Sequence, residues 1–457
     1  MGAVTDLLQN DPGGAIDAKS ANCGPAHRPA SRQRPLLGVY VALLLFMFIY
    51  SARPEDWVPG LAAVPLAKIA VTLALLALAV SIQHVRDRMP REVQFLILLI
   101  AQLLIASLMS PVWRGGAIQN TLNFAKVLMV VLLFAVSVST VERLRWLIFT
   151  QVISVSAIDA VTIWKGRLIV GRLEGILDGQ YSDPNDLALA IITSIPLCLA
   201  LLFVSRNRLW KVLWSVFILV MLYAVFMTGS RGGFLGLLVA AAIFLWEFAI
   251  RGRRRYLIGL AAIAGLVLLQ FAGGMVVGRI KGTFNVKEDT AGAYDSAQAR
   301  QQLFWRSIEV TKEHPIFGVG PGNFDQVSGQ WHTTHNSFTL MSSEGGVPAL
   351  MLYGLILFYG FKNLRATKRI VHGRTESNIM ARALFASLAG YLAGSMFLSD
   401  AYQFFPYFLV AYTTALFRIS KRNSSLSKVR KSIGEETPRE DFLASFQDGF
   451  NTLGRRP

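Results

Sequence analysis

The sequence predicts an all-α, polytopic membrane protein, and three features of its composition lead to that class. Of its 457 residues, 53% are hydrophobic and only 16% are charged. Soluble domains average roughly 45–50% apolar and about 25% charged residues. Apolar runs of about 18 or more residues also recur along most of the chain, and a helix of roughly 20 such residues crosses the hydrocarbon core of a bilayer.

The apolar runs predict about twelve transmembrane helices between two polar tails. Residues 1–35 lack periodicity and predict a disordered tail. Residues 419–457 form a second, charged tail. The predicted division is a first membrane block at 36–277 with nine helices, an external loop at 278–335 and a second block at 336–418 with three helices. The runs lie at 36–50, 61–82, 93–109, 118–139, 146–163, 187–204, 209–227, 232–250, 256–277, 336–361, 380–398 and 403–418.

Positive charge in the loops predicts the orientation. The formal net charge is +17, but the basic residues fall in short clusters between apolar runs, so no nucleic-acid partner is predicted. One alternating set of loops carries most of the Lys and Arg, and the positive-inside rule places that set and both tails in the cytoplasm. The other set, which includes residues 164–186, 228–231 and 399–402, then lies outside.

The external loop is the longest polar segment between membrane runs, and we expect it to contain short helices. Ala297 to Glu313 predicts an amphipathic helix with Leu303 and Phe304 near one face. The glycine-rich stretch from Gly318 to Gly322 lacks the Lys-Ser/Thr ending of a phosphate loop. Arg300 begins the amphipathic segment, and by itself it would be an ordinary solvated arginine.

The start of the sixth predicted span combines a capping signal with polar candidates. Helix N-termini carry unpaired N–H groups and a partial positive charge, which favour an anion. Asp183 fits an N-cap and Pro184 fits the first helical position. Asn185 and Asp186 are not needed for capping and are candidate supporting site residues.

The eighth span begins with Ser230, Arg231, Gly232 and Gly233. Ser230 is a predicted cap, and the Arg231 guanidinium matches phosphate oxygens. Gly232 would let a ligand approach the backbone. The alternative for Arg231 is an interfacial arginine that reaches lipid headgroups.

The tenth span begins at His335 and Asn336. The helix dipole there disfavours an imidazolium, so a neutral histidine is predicted that can accept a proton as a general base. The alternative is a histidine that only caps the helix or bonds to a loop. His332 lies three residues earlier, but no Cys and no acid at ligand spacing accompany it, so no metal site is predicted.

Charged residues inside predicted spans need partners, since each costs about 2.5–3.5 kcal/mol at a span centre. Lys126 and Asp159 have similar predicted depths and are expected to pair. Glu344 indicates either a site or a close helix contact. Lys68, in the outer half of the second span, is a candidate to add charge to an anion site.

These motifs together resemble the bacterial O-antigen ligase/polymerase superfamily over roughly residues 180–400. The resemblance depends on segments that occur in a fixed order. They are Ser230-Arg231-Gly232-Gly233, Arg300 to Trp305, His314 to Phe324, and His335-Asn336 followed by Glu344-Gly345-Gly346. Arg53 to Trp57 and Asp183 to Asp186 further resemble the branch of O-glycosylation ligases associated with exosortase systems.

The resemblance implies a glycosyltransferase of the bacterial inner membrane with a periplasmic active site. Such an enzyme moves a glycan from undecaprenyl diphosphate to an acceptor hydroxyl of the lipid A core, of a protein or of another repeat unit. Arg231 and Arg300 would hold the diphosphate, and His335 would activate or position the acceptor. The implied reaction inverts the anomeric centre and uses no metal and no cofactor.

Two alternatives remain open from the residues. A polymerase of polysaccharide repeat units shares the same motifs, and the acceptor alone separates it from a ligase. A lipid or glycan transporter would place charges along a path at the bilayer midplane and would show repeated halves. The polar residues instead concentrate at one face, which favours the enzyme.

Overall fold

The computed structural model describes most of the chain between Leu36 and Ser432. The described residues are 36–58, 60–61, 63–81, 89–169, 172–175, 181, 183–267, 270, 293–373 and 375–432. The predicted tail at 1–35, the end of the second tail, residues 278–292 of the external loop and the last part of the ninth run lie outside them.

α-Helices dominate the described part of the chain. They are α1 (Leu37–Ala52), α2 (Pro54–Trp57), α3 (Leu66–Ser81), α4 (Arg91–Leu108), α5 (Arg114–Ser137), α6 (Val141–Lys165), α7 (Pro184–Val204), α8 (Arg208–Thr228), α9 (Arg231–Leu245), α10 (Tyr256–Val267), α11 (Ala293–Glu313), α12 (Phe324–Val327), α13 (Ser337–Ile370), α14 (Glu376–Gly394) and α15 (Phe404–Ser432). A short hairpin of β1 (Arg167–Ile169) and β2 (Arg172–Glu174) joins α6 to α7. The sequence did not predict this hairpin.

Eight helices among the described residues are long and apolar enough to cross a membrane. They are α4 to α8, α9 with its π-helical extension Trp246–Ile250, α13, and α14 with the 3₁₀ turn Ser395–Phe397. Three shorter apolar helices, α1, α3 and α10, accompany them. The prediction of an all-α, multi-pass membrane protein is confirmed, whereas the number of twelve spans stays a prediction.

Contacts between helix ends divide those ends into two groups. At one end, Arg145 in α6 forms an ion pair of 3.1 Å with Glu376 in α14. At the other end, Ser230 Oγ donates a hydrogen bond of 2.7 Å to Asn185 Oδ1. Helices that alternate in direction separate their loops in this way. We call the end that contains Asn185 and Ser230 the site end.

Helix α11 packs through one face and confirms the predicted amphipathic segment. Leu303, Ser307 and Val310 are buried at spacings of four and three residues, as one face of a helix requires. Leu303 and Val310 form a small apolar cluster with Val319 and Phe324. This cluster joins α11 to the loop that follows it.

Helix α13 is interrupted near its start, and the glycine-rich loop binds at the interruption. Gly346 has φ +79° and ψ 174°, outside the helical region. The Val347 N–H donates to Pro315 O at 2.8 Å, and the Gly320 N–H donates to Glu344 O at 2.8 Å. The loop therefore uses its backbone groups to satisfy those of the broken helix.

Candidate active site

An open pocket of about 620 Å³ lies at the site end. The hairpin, the start of α7, the start of α11 and the segment before α13 form its walls. Its lining residues are Arg172, Glu174, Asp183, Pro184, Asn185, Ala299, Arg300, Leu303, His332 and His335. The structure therefore brings Arg300, His335 and Asn185 into one pocket, although they are far apart in sequence.

His335 lies directly before the N-cap of α13, with a left-handed backbone (φ +49°). Burial disfavours the charged imidazole, and the nearby Arg300 cation adds to this effect, so the pKa of His335 falls from 6.5 to about 4. The lowered pKa supports the predicted neutral histidine, which stays a prediction. Its causes are burial first and Arg300 second, and not the helix dipole on which the prediction was based.

Asn336 caps α13. Its Oδ1 accepts from the Phe338 N–H at 2.9 Å and from the Thr339 N–H at 3.2 Å. The next residue, Ser337, donates through Oγ to Leu398 O at 2.6 Å. These bonds fix the start of α13, and with it His335, against the loop before α15. Capping accounts for the Asn336 side chain, and a contact of Asn336 with substrate stays a prediction.

Arg300 faces the pocket from the first half of α11. Helix α11 is bonded to the segment before α13, where Gln330 Nε2 donates to Gln302 Oε1 at 2.8 Å. Leu303, one turn beyond Arg300, also lines the pocket. The Arg300 guanidinium lies near enough to His335 to oppose its protonation.

The start of α7 has the predicted capping geometry. Asp183 Oδ1 accepts from the Asn185 N–H at 2.8 Å, with Pro184 at the first helical position. Asn185 is only 4% exposed. Asp186 follows in the first turn, close to the carboxyl groups of Asp183 and Asp400, and is not part of the pocket lining.

Arg231 is the first residue of α9, and Ser230 caps this helix by accepting from the Gly233 N–H at 3.1 Å. Arg231 lies close enough to Arg172 to disfavour its charge. A Cβ at Gly232 would lie 2.6 Å from the Cβ of Phe397. The packing of α9 on the turn after α14 therefore accounts for this glycine, and ligand access at Gly232 stays a prediction.

Glu344 and Lys68 lie away from the pocket lining. Glu344 is 2% exposed, and its Oε1 accepts from the Phe324 N–H at 3.2 Å. It holds the glycine-rich loop on α13, which supports the close-contact alternative. Lys68 is exposed on α3, a helix that packs on α1 and α5. The structure gives no support for its predicted addition to an anion site.

Part of the chain that contributes to this pocket matches a known protein family. Residues 216–354, about a third of the chain, match the family model described as O-Antigen ligase. This segment of the chain is similar to an O-antigen ligase domain. The predicted resemblance to the O-antigen ligase superfamily is thereby confirmed, while the exosortase-associated branch stays a prediction. A comparison with curated proteins finds no match.

The matched residues include Arg231, Arg300 and His335, whereas Arg172 and Asn185 precede them. Arg172 was not predicted as a site residue. A signal was present, because Arg172 is a basic residue in a predicted external loop, and such loops are otherwise poor in Lys and Arg.

The predicted pair of Lys126 and Asp159 inside the membrane block is wrong. Lys126 Nζ donates to Asn123 Oδ1 at 2.8 Å and lies on an exposed face. Asp159 is fully buried, and its two carboxyl oxygens have no hydrogen-bond partner within the described residues. Depth along two helices did not determine which way each side chain faces.

Metal ligands are not grouped in the described part of the chain. Over those residues, no set of three or more His, Cys, Asp or Glu side chains is placed to hold a metal ion. His332 and His335 both line the pocket, accompanied by the carboxylates of Asp183 and Glu174 and the guanidinium of Arg300. The pocket wall carries two guanidinium groups and two carboxylates, which suit a polar ligand.

Proposed function

We propose that this membrane glycosyltransferase moves a glycan from undecaprenyl diphosphate to an acceptor hydroxyl, on the lipid A core or on a protein, at the periplasmic face of the bacterial inner membrane. The observation that carries the proposal is a single pocket that joins Arg300 to a neutral His335, with Arg231 close to the pocket residue Arg172. The ligase family match supports the same chemistry.

The reaction follows from these groups. The acceptor hydroxyl oxygen attacks the anomeric carbon, and His335 takes the hydroxyl proton. The bond between the anomeric carbon and the diphosphate oxygen breaks, and its electron pair leaves with the diphosphate. Arg231 and Arg300 stabilise that leaving group, with the acceptor on the opposite face of the sugar, so the anomeric configuration inverts.

General principles give the sizes of these effects. A positioned charge-stabilising donor contributes about 2.7–4 kcal/mol to transition-state stabilisation in enzymes where one has been removed. A positioned general base contributes about 10²–10⁴-fold in rate. Fixed guanidinium groups can therefore supply the charge stabilisation in this scheme without a metal or other cofactor.

The membrane arrangement completes the proposal. The undecaprenyl chain stays in the bilayer beside the helices of the two membrane blocks, 36–277 and 336–418. Its diphosphate reaches the pocket at the site end, in the periplasm, below the external loop at 278–335. Both tails, 1–35 and 419–457, lie in the cytoplasm.

Deletion of the gene in its host tests the function and identifies the acceptor. We expect one surface polymer to lose its glycan, and restoration of the wild-type chain to recover it. Purified protein supplied with the lipid-linked donor then places the glycan on lipid A, on protein or on a longer chain, which separates a ligase from a repeat-unit polymerase. An unchanged set of surface glycans after deletion would contradict the proposal.

A further inference from the structure

We propose that Arg172 is a positioning residue that sets Arg231 for the diphosphate and so favours a lipid diphosphate over a lipid monophosphate. This inference rests on the proposed function and deepens it. Arg172 lies on β2, outside the residues that match the ligase family.

Arg172 joins the ends of two membrane helices. Its Nε donates to Thr228 O, at the C-terminus of α8, at 2.9 Å. Its Nη2 donates to Asn185 Oδ1, in the first turn of α7, at 3.1 Å. A guanidinium has its donors in a fixed plane, so these two bonds determine the direction of the side chain. Carbonyl groups at a helix C-terminus also carry partial negative charge that favours a cation.

The same hydrogen-bond network continues to Arg231. Asn185 Oδ1, which accepts from Arg172, also accepts from Ser230 Oγ at 2.7 Å. Ser230 Oγ in turn accepts from the Gly233 N–H and so caps α9. Arg231 immediately follows this cap. The first turn of α9, and therefore the origin of the Arg231 side chain, depends on a bond network that includes Arg172.

The Asn185 side chain is well placed to transmit this constraint. It is 4% exposed, as is Ser230. Its Nδ2 donates to Asp183 Oδ1 at 2.8 Å, which fixes the orientation of the amide so that Oδ1 faces Arg172 and Ser230. Removing one partner of a buried hydrogen bond lowers stability, because the remaining polar group stays desolvated without a partner.

The charges around the network favour a ligand with more than one phosphate. Arg231 disfavours the charge of Arg172, and the N-termini of α7 and α9 add partial positive charge. Burial is the larger of the causes that lower the pKa of Arg172, while Asp183 and Glu174 act in the opposite direction. Two phosphates can satisfy several such donors at once, whereas one phosphate satisfies fewer.

The test measures binding of undecaprenyl diphosphate and of undecaprenyl monophosphate to the purified full-length protein in detergent. Arg172→Lys keeps the charge and loses the planar fork, and Arg172→Gln loses both. We expect both variants to weaken diphosphate binding about tenfold or more and to weaken monophosphate binding less, since a lost bond to a charged group has effects of this order. Lys165→Gln, which removes a positive charge just before the hairpin, is the matched control and should change either affinity less than about twofold.

A double-mutant cycle with Arg231→Lys distinguishes positioning from general destabilisation. If Arg172 acts through Arg231, the loss caused by Arg172→Lys should be much smaller in the Arg231→Lys background, because interacting residues are not additive. The thermal unfolding midpoint of each variant is measured together with its binding affinity. Arg172→Lys serves as the test variant if Arg172→Gln does not fold.

The outcomes separate this inference from the function itself. A wild-type protein that does not bind undecaprenyl diphosphate would contradict the proposed function. Wild-type binding together with unchanged binding by Arg172→Lys would overturn the positioning role. Equal losses for diphosphate and monophosphate would overturn the proposed selectivity, and additive effects in the cycle would overturn action through Arg231.

Discussion

Among the individual residues of the pocket, His335 combines an uncommon backbone with a suppressed charge. Its φ of +49° lies in the left-handed region, where Asn, Asp and His occur more often than other non-glycine residues. Sparsely populated backbone conformations cluster at functional sites because the surrounding structure holds them there. The bonds of Asn336 and Ser337 supply that support.

Replacement of the imidazole should abolish most transfer without unfolding the protein. His335→Asn suits the left-handed backbone, so a loss of activity reports the imidazole and not the turn. We expect transfer to fall by about 10²–10⁴-fold in kcat, the usual size of a lost general base. His372→Asn, in an exposed loop, is the matched control. Normal turnover in purified His335→Asn would remove the base assignment.

The pKa of His335 predicts where the enzyme loses activity in acid. Because burial and Arg300 lower this pKa to about 4, the imidazole stays neutral as the pH falls from 7 to 5. We expect the acid limb of kcat/KM that belongs to His335 near pH 4, and not near the ordinary value of about 6.5. A limb near pH 6.5 that disappears in His335→Asn would contradict this expectation.

Arg231 should be required for charge stabilisation, and a divalent ion should not be. We expect Arg231→Ala to lower kcat by about two to three orders of magnitude, as the loss of one charge-stabilising donor does elsewhere, with membrane insertion intact.

We also expect wild-type transfer to continue in excess EDTA. Activity that EDTA removes and a divalent ion restores would disagree with stabilisation by arginines alone.

Among the helices, the interruption in α13 organises the site end. Because α13 breaks at Gly346, the loop from Pro315 to Gly320 can bind its backbone groups there. Glu344 adds a buried side-chain bond to the Phe324 N–H. The same helix begins beside His335, so the break links the external loop to the position of the proposed base.

Filling the backbone space at the break should destabilise the fold. A Cβ at Gly346 would lie 2.2 Å from Ile316 O, and its φ of +79° is unfavourable for other residues. We expect Gly346→Ala to lower the free energy of unfolding by about 1–3 kcal/mol, which is the usual cost of such backbone strain. Gly354→Ala lies in the same helix, and a Cβ there meets no atom within 4 Å. This control should be neutral or stabilising by up to about 1 kcal/mol. Equal unfolding midpoints in detergent would contradict the interpretation.

In the whole molecule, the two groups of helix ends match the alternation that the charge pattern predicts. The end with Arg145, Glu376 and Lys368 contains the basic loops, and the site end contains the pocket. A polytopic helical protein places alternate loops on opposite faces of the membrane, so the position of one loop determines the others. The side on which the pocket lies stays a prediction from the positive-inside rule.

Cysteine labelling in a background without Cys23 and Cys198 tests this orientation. Gln326→Cys is exposed near the site end, and Arg253→Cys is exposed in a predicted cytoplasmic loop. We expect a membrane-impermeant maleimide to label Gln326→Cys in intact spheroplasts and to label Arg253→Cys only after lysis. The reverse pattern would place the pocket in the cytoplasm and would exclude the proposed periplasmic reaction.

Local features of this protein could be predicted from the sequence because the groups that make them are close in the chain. Apolar runs determine which segments are helices in a membrane. The caps at Asp183 and Ser230 were predicted correctly because each side chain bonds to an N–H two or three residues later. The amphipathic α11 was predicted for the same reason, since its buried face repeats along the helix.

The pocket and its wider network were decided only by the tertiary structure. The pocket brings together Arg172, Arg300 and His335 because segments far apart in sequence pack against each other. No local pattern specifies that packing. Lys126 and Asp159 show the same limit, since their predicted depth did not give the rotation of each helix about its axis. The sequence alone therefore determined a multi-pass helical protein with an O-antigen ligase resemblance. The three-dimensional packing determined which cations lie near His335. Distances between side chains that are far apart in sequence depend on the packing distance and the rotation of whole helices.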